Sequence, residues 1–278
     1  MTQLDPMALS FPLQKLPERA VLSVTGADSV AFLHNLITAN VLTLSDGAAA
    51  YAALLTPQGK MLFDFFVLKT GESFLVDHAA SQSAALMQRL SIYKLRAAVT
   101  IAPRADLEVG VSSDGIEGLA YRDPRSSEMG WRCVAAKGTL EEGPGYHAAR
   151  ISAGFADTDR DLGSGELFPH EANLDQFGGV DFGKGCYIGQ EVVSRMEHRG
   201  TARSRIVPVS DSGNLPAKGT SVEAGGKPIG TMLSSEGAIG LALLRLDRLA
   251  EAEGPLQAAD VIIHAHKPSF AKYDVTTR

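Results

Sequence analysis

Residues 184–191 read Lys-Gly-Cys-Tyr-Ile-Gly-Gln-Glu, and they bring a thiol, a cation, an anion, an amide and two glycines into eight positions. Gly185 and Gly189 permit tight backbone geometry around the thiol of Cys186. The residues after Gly189 predict a helix, so Cys186 is expected just before a helix N-terminus and close to Lys184. Both neighbours favour the thiolate. Since a thiolate ligates metals and attacks electrophiles, the stretch predicts a functional thiol; the alternative is a small buried residue in a tight turn.

Three polar side chains accompany the thiol in this stretch. Lys184 supplies a positive charge, while Gln190 and Glu191 begin the predicted helix with an amide and a carboxylate. We take Cys186 as the functional thiol and these three residues as candidate members of its site. The other cysteine, Cys133, lies in a run typical of a strand and has no basic glycine frame, which predicts a core position.

The chain before this stretch is typical of an α+β protein. Short apolar runs bounded by turn residues predict strands, and apolar residues at helical spacing predict helices. The predicted strands are residues 20–24, 51–55, 61–68, 73–76, 97–101, 107–111 and 130–136. The predicted helices are residues 30–37 and 79–93. Consecutive strands without regularly alternating helices indicate antiparallel sheet with a covering helix.

The pattern changes after residue 204. Five short apolar runs, broken by Gly, Asn and Pro, follow within the last 75 residues. They are residues 205–209, 220–224, 227–233, 238–244 and 261–265. Short strands at this density predict a small barrel or sandwich.

Composition narrows the classes of function. The chain has 278 residues, of which 45% are hydrophobic and 21% charged, as in globular proteins with a real core. A net charge of -6 argues against broad binding to phosphate backbones, so no direct nucleic-acid binding is expected. No apolar run approaches the roughly 18 residues that span a bilayer, so no membrane partner is expected. Only two cysteines, with no basic and apolar leader, predict a reducing, cytoplasmic location.

The octapeptide resembles the signature of the YgfZ family of folate-binding proteins, K-G-C-[FY]-x-G-Q-E. Arg195 and residues 198–200 also fit the family pattern of an Arg and then a basic residue before Gly. Weaker similarities extend over nearly the whole chain. They lie at residues 25–33, 55–60, 93–96, 123–132, 150–154, 169–174 and 240–245.

The resemblance implies the fold of the glycine-cleavage T-protein, in which three domains form a ring around a central tetrahydrofolate site. We therefore expect an α+β fold of three domains that ends in a small β-barrel. The first domain is expected to be discontinuous, over residues 1–48 and 142–203. The second is expected at residues 49–141 and the barrel at residues 204–278.

The T-protein is an aminomethyltransferase, and this chain departs from its acidic pattern, which resembles G-G-x-x-D-D. Residues 59–64 here read Gly-Lys-Met-Leu-Phe-Asp, so Phe63 stands at the first acidic place and only Asp64 remains. A phenyl ring cannot bind an amine cation or pass a proton. A folate-dependent one-carbon transferase or demethylase is therefore the alternative function and not the first.

The resemblance implies tetrahydrofolate as the cofactor. Its flat pterin needs an aromatic face and hydrogen-bond partners, and its anionic tail needs cations. The candidates are Tyr146 for stacking, Glu171 and Asn173 for the pterin edge, and Arg96, Lys94, Arg150 and Arg19 for the tail. The alternatives are a core tyrosine, capping of a loop, and ordinary surface charges.

The function that the resemblance implies is assistance in assembling or repairing iron–sulfur clusters, especially for enzymes that modify tRNA by radical chemistry. Two cysteines cannot supply the four thiolates of a conventional cluster, so no stable metal site is expected. Cys186 is instead expected to be one transient iron ligand, or a thiolate that exchanges with a partner's site. The expected partners are iron–sulfur client or assembly proteins, together with folate.

Overall fold

A computed structural model describes residues 10–200 and 202–276. The helices are α1 (Ser29–Leu36), α2 (Ser83–Lys94), α3 (Tyr146–Ala153), α4 (Gln190–Arg199) and α5 (Leu246–Ala250). The first nine strands are β1 (Gln14–Lys15), β2 (Arg19–Thr25), β3 (Ala49–Leu55), β4 (Met61–Thr70), β5 (Ser73–Ala79), β6 (Thr100–Pro103), β7 (Leu107–Ser112), β8 (Ala120–Arg122) and β9 (Trp131–Ala136). The last six are β10 (Ser204–Ser210), β11 (Ser221–Ala224), β12 (Lys227–Glu236), β13 (Ile239–Arg245), β14 (Leu256–Ala258) and β15 (Val261–Ala265).

Five strands within residues 19–103 form an antiparallel sheet with the order β3-β4-β5-β2-β6. Strand β4 is apolar on both faces because both faces of the sheet are covered. Phe65 and Val67 pack into one hydrophobic core, while Phe66 and Leu68 pack into another. This alternation follows from the two-residue period of a strand.

A second sheet has the order β1-β7-β9-β8. Its strands pair antiparallel, and Cys133 lies at the centre of β9, opposite Gly110 of β7. Cys133 is buried, as predicted.

Residues 204–265 form a closed barrel with the strand order β10-β13-β12-β11-β14-β15. The predicted C-terminal barrel is therefore confirmed. Strand β14 was not predicted, because three residues are too few to show a period.

The predicted boundary between residues 48 and 49 falls inside the five-stranded sheet. Strand β2, which was expected in the first domain, pairs with both β5 and β6. A strand's apolar pattern shows that one face is buried but does not identify its neighbours.

One hydrophobic core joins the two sheets to α3, to the long loop before α4 and to the barrel. Among its members are Tyr51 and Phe66 of the five-stranded sheet, Val111 of the second sheet, Phe155 after α3 and Leu241 of the barrel. This shared core fixes the five-stranded sheet, the second sheet and the barrel relative to one another. In the described part of the chain, no helix has the length and apolar character needed to cross a membrane.

Candidate functional site

Cys186 is exposed, on the loop that precedes α4. Gly185 has a φ of +90° and Gly189 has a φ of +80°, so both adopt left-handed backbone that glycine accepts without strain. Gly189 is the N-cap of α4. The predicted glycine frame and the predicted helix start are therefore confirmed, and the thiol faces solvent.

Gly189 is required for a second reason, which is the lack of space for a side chain. A Cβ on Gly189 would lie 2.6 Å from the carbonyl oxygen of Thr56 and 3.0 Å from Cα of Gly59. A Cβ on Gly59 would in turn lie 2.9 Å from Cβ of Val192. The turn between β3 and β4 and the start of α4 thus approach backbone to backbone, which only glycine permits on both sides.

The sequence predicts that Lys184 lies beside the thiol of Cys186, but its ammonium group binds α1 instead. Its ammonium group is buried and donates hydrogen bonds to the carbonyl oxygens of His34 (2.6 Å), Ile37 (2.5 Å) and Ala39 (2.7 Å), at and just beyond the C-terminal end of α1. Burial lowers the pKa of Lys184 to about 8. A cation is favourable at a helix C-terminus, where carbonyl groups lack partners. Lys184 therefore anchors the loop of Cys186 to α1.

The sequence reasoning did not propose two further residues of this site, His34 of α1 and Tyr187 of the loop itself. The Nε2 atom of His34 lies 3.2 Å from the carbonyl oxygen of Lys184. Its Nδ1 atom is buried with no hydrogen-bond partner among the described residues, and the same holds for the hydroxyl of Tyr187. Burial raises the pKa of Tyr187 to about 12. No spacing in the sequence links His34 to residues 184–191.

Gln190 and Glu191 occupy the first turn of α4, as predicted. The backbone N–H of Gln190 donates to the backbone carbonyl oxygen of Tyr187 (3.3 Å). Glu191 is exposed and forms an ion pair with Arg195, one turn further along the helix. Their predicted part in the chemistry of the thiol stays a prediction.

Two of the predicted folate contacts belong to a buried polar network. The hydroxyl of Tyr146 accepts hydrogen bonds from Arg125 (3.2 Å) and Arg132 (3.1 Å). Asp77 accepts from Arg132 (2.6 Å) and from Arg19 (2.7 Å). Tyr146 and Arg19 are thus joined through Arg132 and Asp77, and both already have partners.

The other predicted folate contacts lie apart from this network. Arg150 donates to Asp161 (2.7 Å), and Asn173 donates to the carbonyl oxygen of Ile206 in the barrel (2.7 Å). Glu171 accepts from the backbone N–H of Phe168 (2.9 Å), which is the capping role given as its alternative. The remaining two candidates are Lys94, the last residue of α2, and Arg96, which is exposed just beyond it.

Arg125, which donates to the hydroxyl of Tyr146, lies among aromatic rings in the same buried network. Its guanidinium lies 4.8 Å from the ring centroid of Phe66, 5.0 Å from that of Phe155 and 5.5 Å from that of Tyr51. Asp123 pairs with the same guanidinium (2.7 Å). Among the described residues, the predicted contacts thus belong to separate hydrogen-bonded groups, and tetrahydrofolate remains a prediction from the resemblance.

Asp64, the remaining acidic residue of the T-protein pattern, is buried. It accepts hydrogen bonds from the hydroxyls of Tyr51 (2.7 Å) and Thr158. Burial raises the pKa of Asp64, which favours the neutral acid. Phe63 beside it is buried in the core.

Two groups of side chains in the described residues have the spacing of metal ligands: Glu18, His147 and Asp157, and His170, Asp175 and Glu197. Neither group contains Cys186. In the second group, both oxygens of Asp175 already accept hydrogen bonds from Arg205 (2.6 and 3.0 Å).

Comparisons with known proteins define the class of this fold. Residues 19–152 match the family described as the GCVT N-terminal domain, and residues 203–273 match the CAF17 C-terminal beta-barrel domain. The crystal structure of glycine cleavage system aminomethyltransferase T from Bartonella henselae superposes with a TM-score of 0.76 at 14% identity, over 96% of this chain and 88% of that one. This likeness confirms the expected T-protein fold and concerns the fold alone.

Sequence relatives define the family. The mouse protein named iron-sulfur cluster assembly factor IBA57, mitochondrial, is 35% identical over 286 aligned positions, which cover 87% of this chain and 79% of the mouse protein. The human protein of the same name is 33% identical, over 96% of this chain and 87% of the human one. The chain belongs to the IBA57 family of iron–sulfur cluster assembly factors. These relatives carry the IBA57 name and not that of YgfZ.

The same relatives correct the expected location. The prediction of a cytoplasmic protein is wrong by this comparison, because the mouse, human and Pyricularia oryzae relatives are all named mitochondrial. The prediction rested on the count of two cysteines and on the expectation of no secretory leader. Free thiols indicate reducing conditions, and reducing conditions alone do not identify a compartment.

Proposed function

We propose that this chain is an accessory protein for the assembly or repair of iron–sulfur clusters, and that Cys186 is its working thiol. The observation that carries the proposal is the setting of Cys186. The thiol is exposed, while Lys184 on one side and Gly189 on the other are held by buried contacts to α1 and to the turn after β3. Such a loop presents a thiol to a partner in a fixed place.

The chemistry that fits one exposed thiol is ligand exchange. Cys186 releases its proton to solvent, its sulfur binds one iron of a cluster, and the thiolate of the previous holder leaves that iron and takes up a proton from solvent. No electron is transferred in this step. One thiolate cannot replace the four of a conventional site, so the cluster stays shared with a partner or passes onward. The relatives named iron-sulfur cluster assembly factors support this role.

We propose further that the clients include cluster-dependent enzymes that modify tRNA. A complementation assay tests both parts in cells that lack this gene and need such an enzyme. The wild-type chain should restore thiolated tRNA, and Cys186→Ser should not, although its fold and amount stay unchanged. Cys133→Ala serves as the matched control because that thiol is buried away from partners. Full restoration by Cys186→Ser would show that the thiol role is wrong.

Tetrahydrofolate is proposed as a structural or protective cofactor on the resemblance alone. A fluorescence or calorimetric titration of the purified chain with tetrahydrofolate tests it. Saturable binding that weakens at least tenfold in Tyr146→Ala would support a site at the centre of the fold. If the wild-type chain shows no heat and no spectral change at millimolar ligand, folate is not its cofactor.

The second candidate function is a folate-dependent one-carbon transferase or demethylase, which the shared fold alone favours. The contacts of Asp64 weigh against it, because Tyr51 and Thr158 occupy the carboxyl oxygens that an amine substrate would need. Incubation with tetrahydrofolate and aminomethylated or methylated amines should yield no methylene-tetrahydrofolate. Product formation that disappears in Asp64→Asn would instead establish the enzyme.

A further inference from the structure

Thr38 lies just beyond the C-terminal end of α1 and is completely buried. Its hydroxyl accepts the backbone N–H of Ala53 on β3 (2.8 Å) and donates to the backbone carbonyl oxygen of Gly179, in the long loop before α4 (2.6 Å). Its own N–H donates to the carbonyl oxygen of Ala53 (3.0 Å), and its carbonyl oxygen accepts the N–H of Asp181 (3.0 Å). One residue therefore joins the five-stranded sheet to the loop that carries Cys186.

The direction of both hydroxyl bonds is fixed by the groups on either side. A backbone N–H can only donate and a carbonyl oxygen can only accept, so the single proton of the Thr38 hydroxyl points to Gly179 and a lone pair faces Ala53. Strand β3 is at the edge of its sheet, where backbone groups lack a neighbouring strand. Thr38 supplies partners for both the N–H and the C=O of Ala53.

The loop stays attached to the same segment as it approaches the thiol. The carboxylate of Asp181 accepts the backbone N–H of Gly183 (2.8 Å). The ammonium group of Lys184 then binds the carbonyl oxygens of the residues on either side of Thr38. The loop is therefore held against the segment after α1 up to two positions before Cys186.

Strand β3 also holds the other side of the thiol. A Cβ on Gly189 would lie 3.1 Å from Cβ of Leu55, the last residue of β3. Ala53, which Thr38 binds, comes two residues earlier in the same strand, so the two attachments of the loop are about 7 Å apart along β3. Cys186 thus lies in the chain between two attachments to one strand, and Thr38 makes the first of them.

We propose that Thr38 is a positioning residue for Cys186: its hydroxyl fixes the first attachment of the loop to β3 and thereby fixes where the thiol meets a cluster. This inference rests on the proposed function and adds a residue on which the ligand exchange depends. The hydroxyl is the deciding group, because the backbone bonds of residue 38 are open to any residue. Only a side chain with a donor and an acceptor can bind both Gly179 and Ala53.

Three variants isolate the hydroxyl. Thr38→Val keeps the branched Cβ and removes both hydroxyl bonds, whereas Thr38→Ser keeps the hydroxyl and loses only a methyl group. Thr38→Ala removes the same two bonds without placing a methyl group against the carbonyl oxygen of Gly179, and it is used if Thr38→Val does not fold. Ser29→Ala is the matched control, because it removes a buried hydroxyl bond to the carbonyl oxygen of Glu72 (3.1 Å) at the opposite end of α1.

A nitroxide label on Cys186 measures the position of the loop without any cluster. The label is attached in a Cys133→Ala background, and its mobility is read from the electron paramagnetic resonance spectrum. Thr38→Val should shift the spectrum toward a more mobile component. Thr38→Ser and Ser29→Ala should both keep the spectrum of the unsubstituted chain.

A second measurement follows a cluster on the thiol. The probe is a two-iron cluster ligated by glutathione, added without oxygen to the purified full chain, and visible circular dichroism reports a cluster held in one fixed setting. The wild-type chain should give a signal and Cys186→Ser none. Thr38→Val should reduce the signal at least about threefold, because a loosely held ligand site binds poorly. Thr38→Ser and Ser29→Ala should keep it, and far-ultraviolet circular dichroism should show every variant folded.

The two measurements separate this proposal from the proposed function. An unchanged nitroxide spectrum in Thr38→Val overturns the proposal, whatever the cluster signal. A changed nitroxide spectrum with an undiminished cluster signal overturns it as well, because the position of the thiol would then not matter for the cluster. If the wild-type chain takes up no cluster, the ligand-exchange role of Cys186 is wrong, and the nitroxide spectra alone decide whether Thr38 positions the thiol.

Discussion

The two cysteines of the chain differ in solvent accessibility. Cys186 faces solvent, whereas Cys133 is buried in β9 and burial raises the pKa of its thiol. A maleimide reagent at neutral pH should therefore label one thiol in the native protein and two after denaturation, counted by mass spectrometry. Cys186→Ser should remove the native label. Rapid native labelling of Cys133 would contradict the buried position of β9.

Lys184 was identified from the sequence as a neighbour of the thiol, but its role could not be read there. The carbonyl groups that it binds belong to residues about 150 positions earlier in the chain, a separation that no local pattern reports. The sequence therefore shows that a cation stands close to Cys186, but it does not show that the ammonium group is directed to the end of α1. The structure makes it a positioning residue for the loop.

Lys184→Met should therefore act mainly on stability and on the loop. It removes three hydrogen bonds and leaves the carbonyl oxygens of Ile37 and Ala39 without this donor in a buried place. We expect a loss of about 2–4 kcal/mol in the free energy of unfolding, measured by urea denaturation. Arg195→Met is the control, because it breaks only an exposed ion pair on α4 and should change stability little. Equal effects of the two variants would show that the anchor contributes nothing.

At the scale of elements, the glycines of the motif make separable contributions. Gly185 and Gly189 both have positive φ, but a Cβ on Gly185 would meet open space, whereas one on Gly189 would overlap the turn at Thr56 and Gly59. Gly185→Ala should cost about 1–2 kcal/mol from backbone strain alone. Gly189→Ala should cost at least about 3 kcal/mol, because overlap with fixed backbone adds to that strain.

Urea denaturation of the two alanine variants measures this difference. Gly47→Ala is a useful third variant, since Gly47 has a positive φ of +75° and open space and lies far from the motif in sequence. It should resemble Gly185→Ala. If Gly189→Ala proves as mild as these two, the start of α4 and the turn after β3 do not approach as closely as described.

Most elements could be predicted from the sequence, whereas their partners could not. The runs that became β4, β5, β7, β9 and β13 are long and apolar, so their patterns are clear. The short strand β14 leaves too little pattern. Strand β2 was predicted as a strand, but its place between β5 and β6 depends on contacts across some 50 to 80 residues. Pairing over such distances is a property of the folded chain.

At the scale of the whole molecule, the centre of the fold is held by buried charges as well as by apolar contacts. Arg19 on β2 and Arg132 on β9 both donate to Asp77 on β5, so one carboxylate connects the two sheets. Arg19 was proposed from the sequence as a contact for folate, because the anionic tail of that cofactor needs cations. The partner of Arg19 became visible only in three dimensions, where the carboxylate of Asp77 on β5 neutralises it.

Asp77 should therefore control the acid stability of the molecule. Burial alone would raise its pKa, but the guanidiniums of Arg132 and Arg19 outweigh that effect and hold the pKa of Asp77 below its usual range. A carboxylate with a lowered pKa in the folded state adds stability above the unfolded value of about 4, and this stability is lost as the pH falls through the folded value. The unfolding free energy of the wild-type chain should fall in that acidic window.

Asp77→Asn tests this at two pH values. At pH 7 it should lower the unfolding free energy by about 3–5 kcal/mol, because two buried guanidiniums lose their counter-charge. Below pH 4 its disadvantage should shrink, since the wild-type carboxylate is itself becoming protonated there. Asp114→Asn, at an exposed position, is the control and should follow the wild-type curve. A penalty that stays constant from pH 7 to pH 3 would mean that the charge of Asp77 is not what joins the two sheets, and that packing alone holds the centre together.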